Sequence, residues 1–573
     1  METIYGQLQG LKSSQLKQLQ RLYRERLPGD CLTTVEFAQR VAAISTELGE
    51  PVCTYINRRG QVIRVGVGGP RATQIPPVEL PRYGAERLCG IRCIATKLQS
   101  EPPEQSSLTA MAVQRLDALV VVTLTGAGFQ RRGGGATGYA GETYLAHLMP
   151  QTHPEGENYP CWNISSPMSL EALAQRDFLG WVEELEAEFQ REYVAQNVDE
   201  GRDRVLAVGL HTDRATREEF EEGLAELVRL VDTAGGEVLQ VVRQKRSRPD
   251  SQTVVGAGKV EEIALAAQTS GATLVVFDRS LSPAQSRNLE AQIGTRVVDR
   301  TEVILDIFAQ RAQSSAGKLQ VELAQLEYLL PRLVGRGQAM SRLGGGIGTR
   351  GPGETKLETE RRSIQRRISR LQQEIDRLQD HRSRLRHQRQ QQEVPSIAIV
   401  GYTNAGKSTT INTLTNADVY VEDKLFATLD PTTRRLTVPH AVTGKPLTLL
   451  LTDTVGFIQE LPPPLVDAFR ATLEEVTEAD ALLHLVDLSH PAWHAHIRSV
   501  TKILGQMPIA PGPVLLAFNK IDRASTEAIE KATEEYPLAV FISASQRLGL
   551  DTLRQKLSQL VLHATDNRMM TYE

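Results

Sequence analysis

The stretch Gly401-Tyr402-Thr403-Asn404-Ala405-Gly406-Lys407-Ser408 decides the fold. It follows the apolar run Ser396-Ile397-Ala398-Ile399-Val400 and matches the phosphate-binding pattern G-x-x-x-x-G-K-[ST]. The pattern predicts a buried strand, a tight turn whose backbone N–H groups face an anion, and a helix from Thr409 whose positive end faces phosphates. Lys407 would reach the β- and γ-phosphates, and the Ser408 hydroxyl would ligate Mg²⁺. Because both flanks agree with the motif, an ordinary glycine turn is a poor interpretation.

Three further nucleotide motifs follow in the expected order. In Asp453-Thr454-Val455-Gly456, Asp453 would hold Mg²⁺ through water and the Gly456 N–H would sense the γ-phosphate. In Asn519-Lys520-Ile521-Asp522, the Asp522 carboxylate can accept hydrogen bonds from guanine N1 and N2, whereas adenine offers the wrong pattern. In Ser543-Ala544-Ser545, the Ala544 N–H would meet guanine O6. The sequence therefore predicts a P-loop GTPase that binds GTP and GDP.

The first switch is expected around Phe426-Ala427-Thr428-Leu429-Asp430. Thr428 is the preferred second hydroxyl ligand of Mg²⁺, with Thr432 and Thr433 as alternatives. Together with Lys407 and Gly456, Thr428 completes the candidate catalytic set.

Phe457 stands where Ras-like enzymes place a glutamine that orients water. An apolar ring cannot position water, so we expect slow intrinsic hydrolysis that depends on a partner. Asn404 resembles the asparagine that ligates an activating K⁺ in some GTPases, and K⁺ dependence is a hypothesis on that basis.

The composition is that of a soluble globular chain. The 573 residues predict roughly three to four domains, with 40% hydrophobic and 23% charged residues and a net charge of −4. The sequence has neither a long apolar run nor a signal-peptide pattern at its N-terminus, so we expect a cytoplasmic protein without a membrane span. The five cysteines favour neither a disulfide framework nor a zinc site.

The first domain is expected over residues 1–195, as an α/β extension of unknown role. Alternating residues around 52–56 and 62–67 predict a β-hairpin. The stretch from Gly126 to Gly141 is interpreted as a mobile surface loop, and the acidic run from Glu183 to Glu200 as a linker helix.

Residues 202–310 alternate strands and helices, which predicts a parallel-sheet α/β domain. Gly256-Ala257-Gly258-Lys259 precedes a helix and raises the hypothesis of a second, ATP-type site. It lacks the hydroxyl residue after Lys259, so a helix-start turn is the preferred interpretation.

Residues 311–393 show two helical patterns whose leucines and isoleucines are three and four apart, which predicts an antiparallel helical hairpin. Its Gly-rich tip spans residues 335–353, and the second helix is densely cationic. A solvated spacer is one interpretation of such charge. RNA contact is preferred, because arginine binds phosphates and stacks on bases while glycine permits close approach. The candidate RNA-contact residues are Arg336, Arg342, Gly344, Gly345, Gly346 and Arg350. The GTPase domain takes residues 394–573.

Residues from about 202 to 563 resemble the HflX family of translation-associated GTPases. The resemblance rests on the P-loop, on Phe277-Asp278-Arg279-Ser280-Leu281-Ser282-Pro283-Ala284-Gln285 and on Gly344-Gly345-Gly346-Ile347-Gly348-Thr349-Arg350-Gly351-Pro352-Gly353. It implies a monomer that binds the large ribosomal subunit and its rRNA and splits or rescues stalled ribosomes, with hydrolysis stimulated by the ribosome. By this resemblance, residues 1–195 have no counterpart in the shorter members, and we expect the chain to lack the C-terminal domain that many relatives carry.

Two other functions share the same motifs. One is a GTP-switched, RNA-binding assembly factor for the large subunit, without splitting activity. The other is a signalling GTPase whose helical hairpin binds protein.

Overall fold

The computed structural model describes residues 3–75, 80, 87–130, 136–150, 161–196, 202–213, 215–333, 361–378, 394–415, 425–426, 432–441, 443–458, 476–477, 479–505 and 512–571. The chain forms two compact units. The first comprises Met1–Asp213, Glu237–Val276 and Ala284–Val297, and the second comprises Arg214–Gly236, Phe277–Pro283 and Val298–Glu573. The predicted α/β class is confirmed, and the domain boundaries stay predictions.

A seven-stranded sheet in the order β1-β3-β2-β4-β5-β6-β7 lies at the centre of the first unit. Its strands are β1 (Ile4–Gly6), β2 (Val52–Asn57), β3 (Val62–Val67), β4 (Ile91–Lys97), β5 (Ala118–Gln130), β6 (Ala136–Leu148) and β7 (Trp162–Ile164). Its helices are α1 (Ser13–Arg21), α2 (Val35–Leu48), α3 (Pro70–Thr73), α4 (Gln105–Gln114), α5 (Leu170–Ala174) and α6 (Phe178–Gln196). The antiparallel pairing of β2 with β3 confirms the predicted hairpin.

Two predictions within this unit are wrong. Within the supposed loop from Gly126 to Gly141, the described residues 126–130 and 136–141 are strand, because β5 and β6 pair there across register shifts. The supposed linker helix is α6, which buries Val182, Leu185 and Phe189 in the core of the unit. The predicted helix is confirmed and only its role as a linker is wrong, since one apolar stripe is enough to dock a helix.

A four-stranded sheet follows in the order β11-β10-β8-β9. Its strands are β8 (Arg204–His211), β9 (Glu237–Lys245), β10 (Leu274–Phe277) and β11 (Arg296–Asp299), and β8 pairs parallel with β9. Helices α8 (Ala257–Thr269) and α9 (Pro283–Ile293) occupy the predicted positions. Gly256 is the N-cap of α8 and Lys259 pairs with Glu262 at 2.6 Å, which is the geometry of a helix start.

The described helices of the second unit that precede the GTPase region are α7 (Arg217–Ala234), α10 (Arg300–Arg311), α11 (Ser315–Leu333) and α12 (361–378). A capping box fixes the start of α7, because Thr216 accepts from the Glu219 N–H and Glu219 accepts from the Thr216 N–H. Gly235 ends α7 with φ +94. Asp299 caps α10 by accepting from the N–H of Glu302 at 3.1 Å.

Helices α11 and α12 contact each other through side chains. Arg367 forms a bidentate pair with Glu322 at 2.7 and 2.8 Å, and Gln372 donates to Glu327 at 3.2 Å. Leu371 is buried on α12. The predicted Gly-rich tip lies outside the described residues.

The GTPase region is a six-stranded sheet in the order β13-β14-β12-β15-β16-β17. Its strands are β12 (Ser396–Gly401), β13 (Thr432–Pro439), β14 (Pro446–Asp453), β15 (Ala481–Asp487), β16 (Val514–Asn519) and β17 (Val540–Phe541). Its helices are α13 (Lys407–Thr415), α14 (Trp493–Gly505), α15 (Thr526–Glu535) and α16 (Leu550–Thr571). All strands except β13 run parallel to their neighbours, so their carboxyl ends share one edge, where ligands of such sheets bind. Among the described helices, none is both long and apolar enough to cross a membrane.

Candidate nucleotide-binding site

The P-loop leaves the end of β12, which lies between β14 and β15 in the sheet. Gly406 has φ +88, and a Cβ there would lie 2.4 Å from the Asn519 amide nitrogen, so only glycine fits the turn. Asn404 also has a positive φ, of +61, which asparagine tolerates better than most residues. The loop thus turns directly into α13, as the motif predicts.

Lys407 lies beneath this loop. Its Nζ donates to the carbonyl oxygens of Gly401 at 3.2 Å and Tyr402 at 3.0 Å. Burial lowers the pKa of Lys407 to about 8, although the Asp453 carboxylate acts to raise it. An anion beside the ammonium would offset the cost of burying the charge.

Ser408 and Asp453 come together from different elements. The Ser408 hydroxyl donates to Asp453 Oδ2 at 2.6 Å, which joins the start of α13 to the end of β14. A hydroxyl and a carboxylate are hard oxygen donors, and this is the donor chemistry that Mg²⁺ prefers. The residues present therefore fit that ion.

Gly456 and Phe457 pack directly on the P-loop. The Phe457 N–H donates to Gly401 O at 3.0 Å, and the Thr403 N–H donates to Phe457 O at 2.8 Å. A Cβ on Gly456 would lie 2.7 Å from Thr403 Cα, so a larger residue would separate the two segments. The Phe457 side chain is buried, which agrees with the expectation that it does not orient water.

Asn519 connects the remaining motifs. Its Nδ2 donates to Ala405 O at 2.9 Å, and its Oδ1 accepts from the Ala544 N–H at 3.0 Å. One buried amide thereby connects the P-loop, the N-K-x-D segment and the Ser543-Ala544-Ser545 segment. The Thr413 hydroxyl also donates to Ala544 O, at 3.2 Å.

Asp487 was not found by sequence reasoning. It ends β15, and its Oδ2 lies 2.8 Å from the Nζ of Lys520. The sequence feature that could have identified Asp487 is its position at the end of an apolar strand, as for Asp453 and Asn519.

The first switch is described only at Leu425 and Phe426. Phe426 is buried in a left-handed conformation with φ +55, and its ring meets that of Phe308 edge-on at 4.9 Å. Ala427, Thr428, Leu429 and Asp430 lie outside the described residues, as do all six candidate RNA-contact residues. Their roles stay predictions.

A second polar cluster lies beside the P-loop, where Glu222, His490 and His496 each place a possible ligand atom within 4.8 Å of the others. Nδ1 of His490 accepts from the Ala492 N–H at 3.2 Å. Its Nε2 then carries the hydrogen and faces Glu222 at 3.4 Å. Arg229 also contacts Glu222, at 2.9 Å. The Glu222–His490 contact, supported by the Arg229–Glu222 ion pair, holds α7 against the start of α14.

Comparison with known proteins supports the interpretation of these motifs. Three family models match in sequence: the N-terminal region of GTP-binding GTPases at residues 221–309, their middle region at 311–389, and the 50S ribosome-binding GTPase model at 396–520. Among solved structures, a GTP-binding protein from Sulfolobus solfataricus in complex with GDP is 26% identical and covers 63% of this chain and 99% of its own. Its TM-score of 0.33 supports no argument about the fold.

Curated relatives have higher sequence identity to this chain. GTPase HflX of Alkalihalophilus pseudofirmus is 48% identical over 370 residues, which are 65% of this chain and 84% of that protein. GTPase HflX of Escherichia coli is 46% identical over 346 residues, which are 60% of this chain and 80% of that protein. With the four nucleotide motifs assembled at one edge of the sheet, this similarity establishes that the chain belongs to the HflX family of GTPases and binds and hydrolyses GTP.

Proposed function

We propose that this GTPase binds the large ribosomal subunit in its GTP-bound form and dissociates or rescues stalled ribosomes, with hydrolysis permitting release. The observation that carries the proposal is the match of residues 396–520 to a model described as a 50S ribosome-binding GTPase. The partner would be the subunit and its rRNA, and the protein would act as a monomer.

The buried Phe457 supports dependence on a partner. GTPases of this class need a group that orients the attacking water. Here the side chain at that position is apolar and packed inside the protein. A ribosome that supplied such a group, or ordered the switches, would convert a slow enzyme into a fast one.

Helix α12 supports contact with RNA. Arginine side chains at several of its positions are exposed, whereas Leu371 and Ile375 face the interior; the exposed arginines are Arg361, Arg362, Arg366, Arg370 and Arg377. A cationic helix face suits the phosphates of a folded RNA. In sequence, helix α12 follows the Gly-rich tip that carries the predicted RNA-contact residues.

The proposed nucleotide chemistry uses the assembled motifs. Ser408 would ligate Mg²⁺ directly, Asp453 would hold it through water, and Thr428 would supply the second hydroxyl. The bound ion would supply positive charge that offsets the charge of the phosphates. Asn404 would ligate K⁺, and equal turnover in K⁺ and Na⁺ would remove that assignment.

Light scattering tests the proposal. Intact ribosomes are mixed with the protein and a non-hydrolysable GTP analogue, and we expect the signal to fall as subunits separate. Binding to large subunits without a fall in scattering would instead support the assembly factor.

The Arg342→Ala/Arg350→Ala double variant should lose ribosome binding and retain GTP affinity. Its matched control is Lys531→Ala, an exposed cation on α15, which should behave as the wild type does. If the double variant and the control bind ribosomes equally well, the Gly-rich tip is not part of the ribosome interface.

A further inference from the structure

The side chain of Tyr402, within the P-loop, makes a buried polar contact. Its hydroxyl donates to Glu226 Oε2 at 2.5 Å, and Glu226 Oε1 accepts from Arg300 at 2.6 Å. All three residues are buried. Burial and the Glu226 carboxylate raise the pKa of Tyr402 well above its ordinary value, so the hydroxyl keeps its proton. A buried carboxylate needs both partners, because a lost one leaves charge uncompensated.

The backbone of the same residue holds the phosphate-binding lysine. Tyr402 O accepts from Lys407 Nζ at 3.0 Å. Tyr402 also forms a parallel β-bridge with Phe457, the residue after the γ-phosphate-sensing Gly456. The backbone of Tyr402 therefore contacts both Lys407 and the residue that follows the Asp453-Thr454-Val455-Gly456 motif.

Stacking further defines the position of this ring. Tyr402 lies 3.8 Å from the ring of His496, with an angle of 11° between the planes. Burial lowers the pKa of His496 to about 3, so this imidazole is neutral at ordinary pH. A Phe at position 402 can keep the stack and lose only the hydrogen bond.

The helices that carry Glu226 and Arg300 also contact the first switch. Thr233 on α7 accepts from the Leu425 N–H at 3.4 Å, and Phe308 on α10 packs on Phe426. Thr428, the predicted Mg²⁺ ligand, is two residues beyond Phe426. Helices α7 and α10 thus contact the P-loop and the first switch together.

We propose that Tyr402 is a positioning residue. Through Glu226 and Arg300, helices α7 and α10 fix the position of the Tyr402 carbonyl oxygen that accepts from Lys407. They thereby control the rates at which GTP and GDP dissociate. The coupling is reciprocal, so nucleotide binding stabilises α7 and α10. It operates in the free protein and does not depend on a ribosome.

The test measures dissociation of fluorescent GTP and GDP analogues by displacement. Tyr402→Phe removes a hydrogen bond to a charged group and should speed release by about tenfold. Glu226→Gln replaces the charged acceptor by a neutral amide and also weakens the Arg300 contact, so it should speed release as well. Because both changes act on the Tyr402–Glu226 hydrogen bond, the double variant should release nucleotide more slowly than the product of the two single effects would give. The matched control is Tyr55→Phe, which removes a buried hydroxyl bonded to Pro70 O at 3.2 Å in the first unit, and it should leave the rates unchanged.

Wild-type rates in both single variants, or effects that multiply in the double variant, would overturn the proposal. A purely structural role would lower Tm in Tyr402→Phe and Tyr55→Phe without changing nucleotide release. If the Tyr402 and Glu226 variants do not fold, hydrogen exchange on the wild type decides. Binding of a non-hydrolysable GTP analogue should slow exchange in Arg217–Ala234 and Arg300–Arg311, and unchanged exchange in both helices would refute the coupling.

Discussion

Lys520 Nζ lies 2.8 Å from Asp487 Oδ2, and both side chains are mostly buried. The pair fixes the lysine of the N-K-x-D motif against the end of the neighbouring strand β15. Asp487 also accepts from the Ser489 N–H at 3.0 Å and the Ser489 hydroxyl at 2.6 Å. The carboxylate therefore organises the guanine side of the site, although it belongs to none of the four motifs.

Replacing Asp487 with Asn should weaken GTP and GDP binding by about the same factor, on the order of five- to tenfold. The reason is that the Lys520 ammonium then bonds a neutral amide in place of a carboxylate. Equilibrium titration with fluorescent nucleotides measures the loss. A change confined to GTP would show that Asp487 acts on the γ-phosphate and not on the guanine side.

Asn519→Ala should lower the free energy of unfolding by about 2 kcal/mol, since it leaves the buried Ala405 O and Ala544 N–H without their partner. Chemical denaturation of the free protein gives that value. Asn412→Ala, on a partly buried side chain of α13, is the comparison and should cost less. Equal losses would mean that Asn519 does not connect the motifs.

Asp522→Asn should lower GTP affinity by at least about tenfold, because the amide cannot accept both guanine hydrogen bonds. The amide N–H can instead donate to the O2 carbonyl of xanthine, so the variant should bind xanthosine triphosphate better than the wild type does. Competition binding with the two nucleotides provides the measurement. Unchanged preference for GTP would remove Asp522 from the predicted guanine contact.

Nucleotide binding should take up a proton above pH 8. Free Lys407 has its pKa lowered to about 8 by burial, and phosphates should raise that pKa when they bind. The bound form then holds the proton that the free form has lost, so affinity falls as pH rises through 8. Calorimetry in two buffers of different ionisation enthalpy should show little uptake near pH 7 and most of one proton near pH 8.5. Equal uptake at both pH values would contradict this assignment.

The position of the nucleotide motifs at one edge of the sheet could be predicted from their order in the chain. Asp453 and Asn519 end apolar strands, and parallel strands bring their carboxyl ends to the same edge as the P-loop. The sequence thus indicated both the sheet and the residues at its edge. Ser408 and Asp453 accordingly lie in hydrogen-bond contact although 45 positions separate them.

The partners of Tyr402 could not be predicted in the same way. Glu226 precedes it by 176 positions and lies on a helix that carries several other glutamates, at 218, 219, 221 and 222. No local pattern distinguishes this buried glutamate from the less buried glutamates around it. Helix α6 was misjudged for a related reason, since its charges obscured the apolar stripe formed by Val182, Leu185 and Phe189.

The central proposal is a GTPase whose hydrolysis depends on the ribosome, and multiple-turnover GTP hydrolysis with and without purified large subunits tests it most directly. We predict slow release of phosphate by the protein alone and an increase of at least about a hundredfold with subunits, by analogy with partner-activated GTPases that lack a complete catalytic set. Lys407→Ala should abolish turnover in both conditions. Turnover that is unchanged by large subunits would contradict the account.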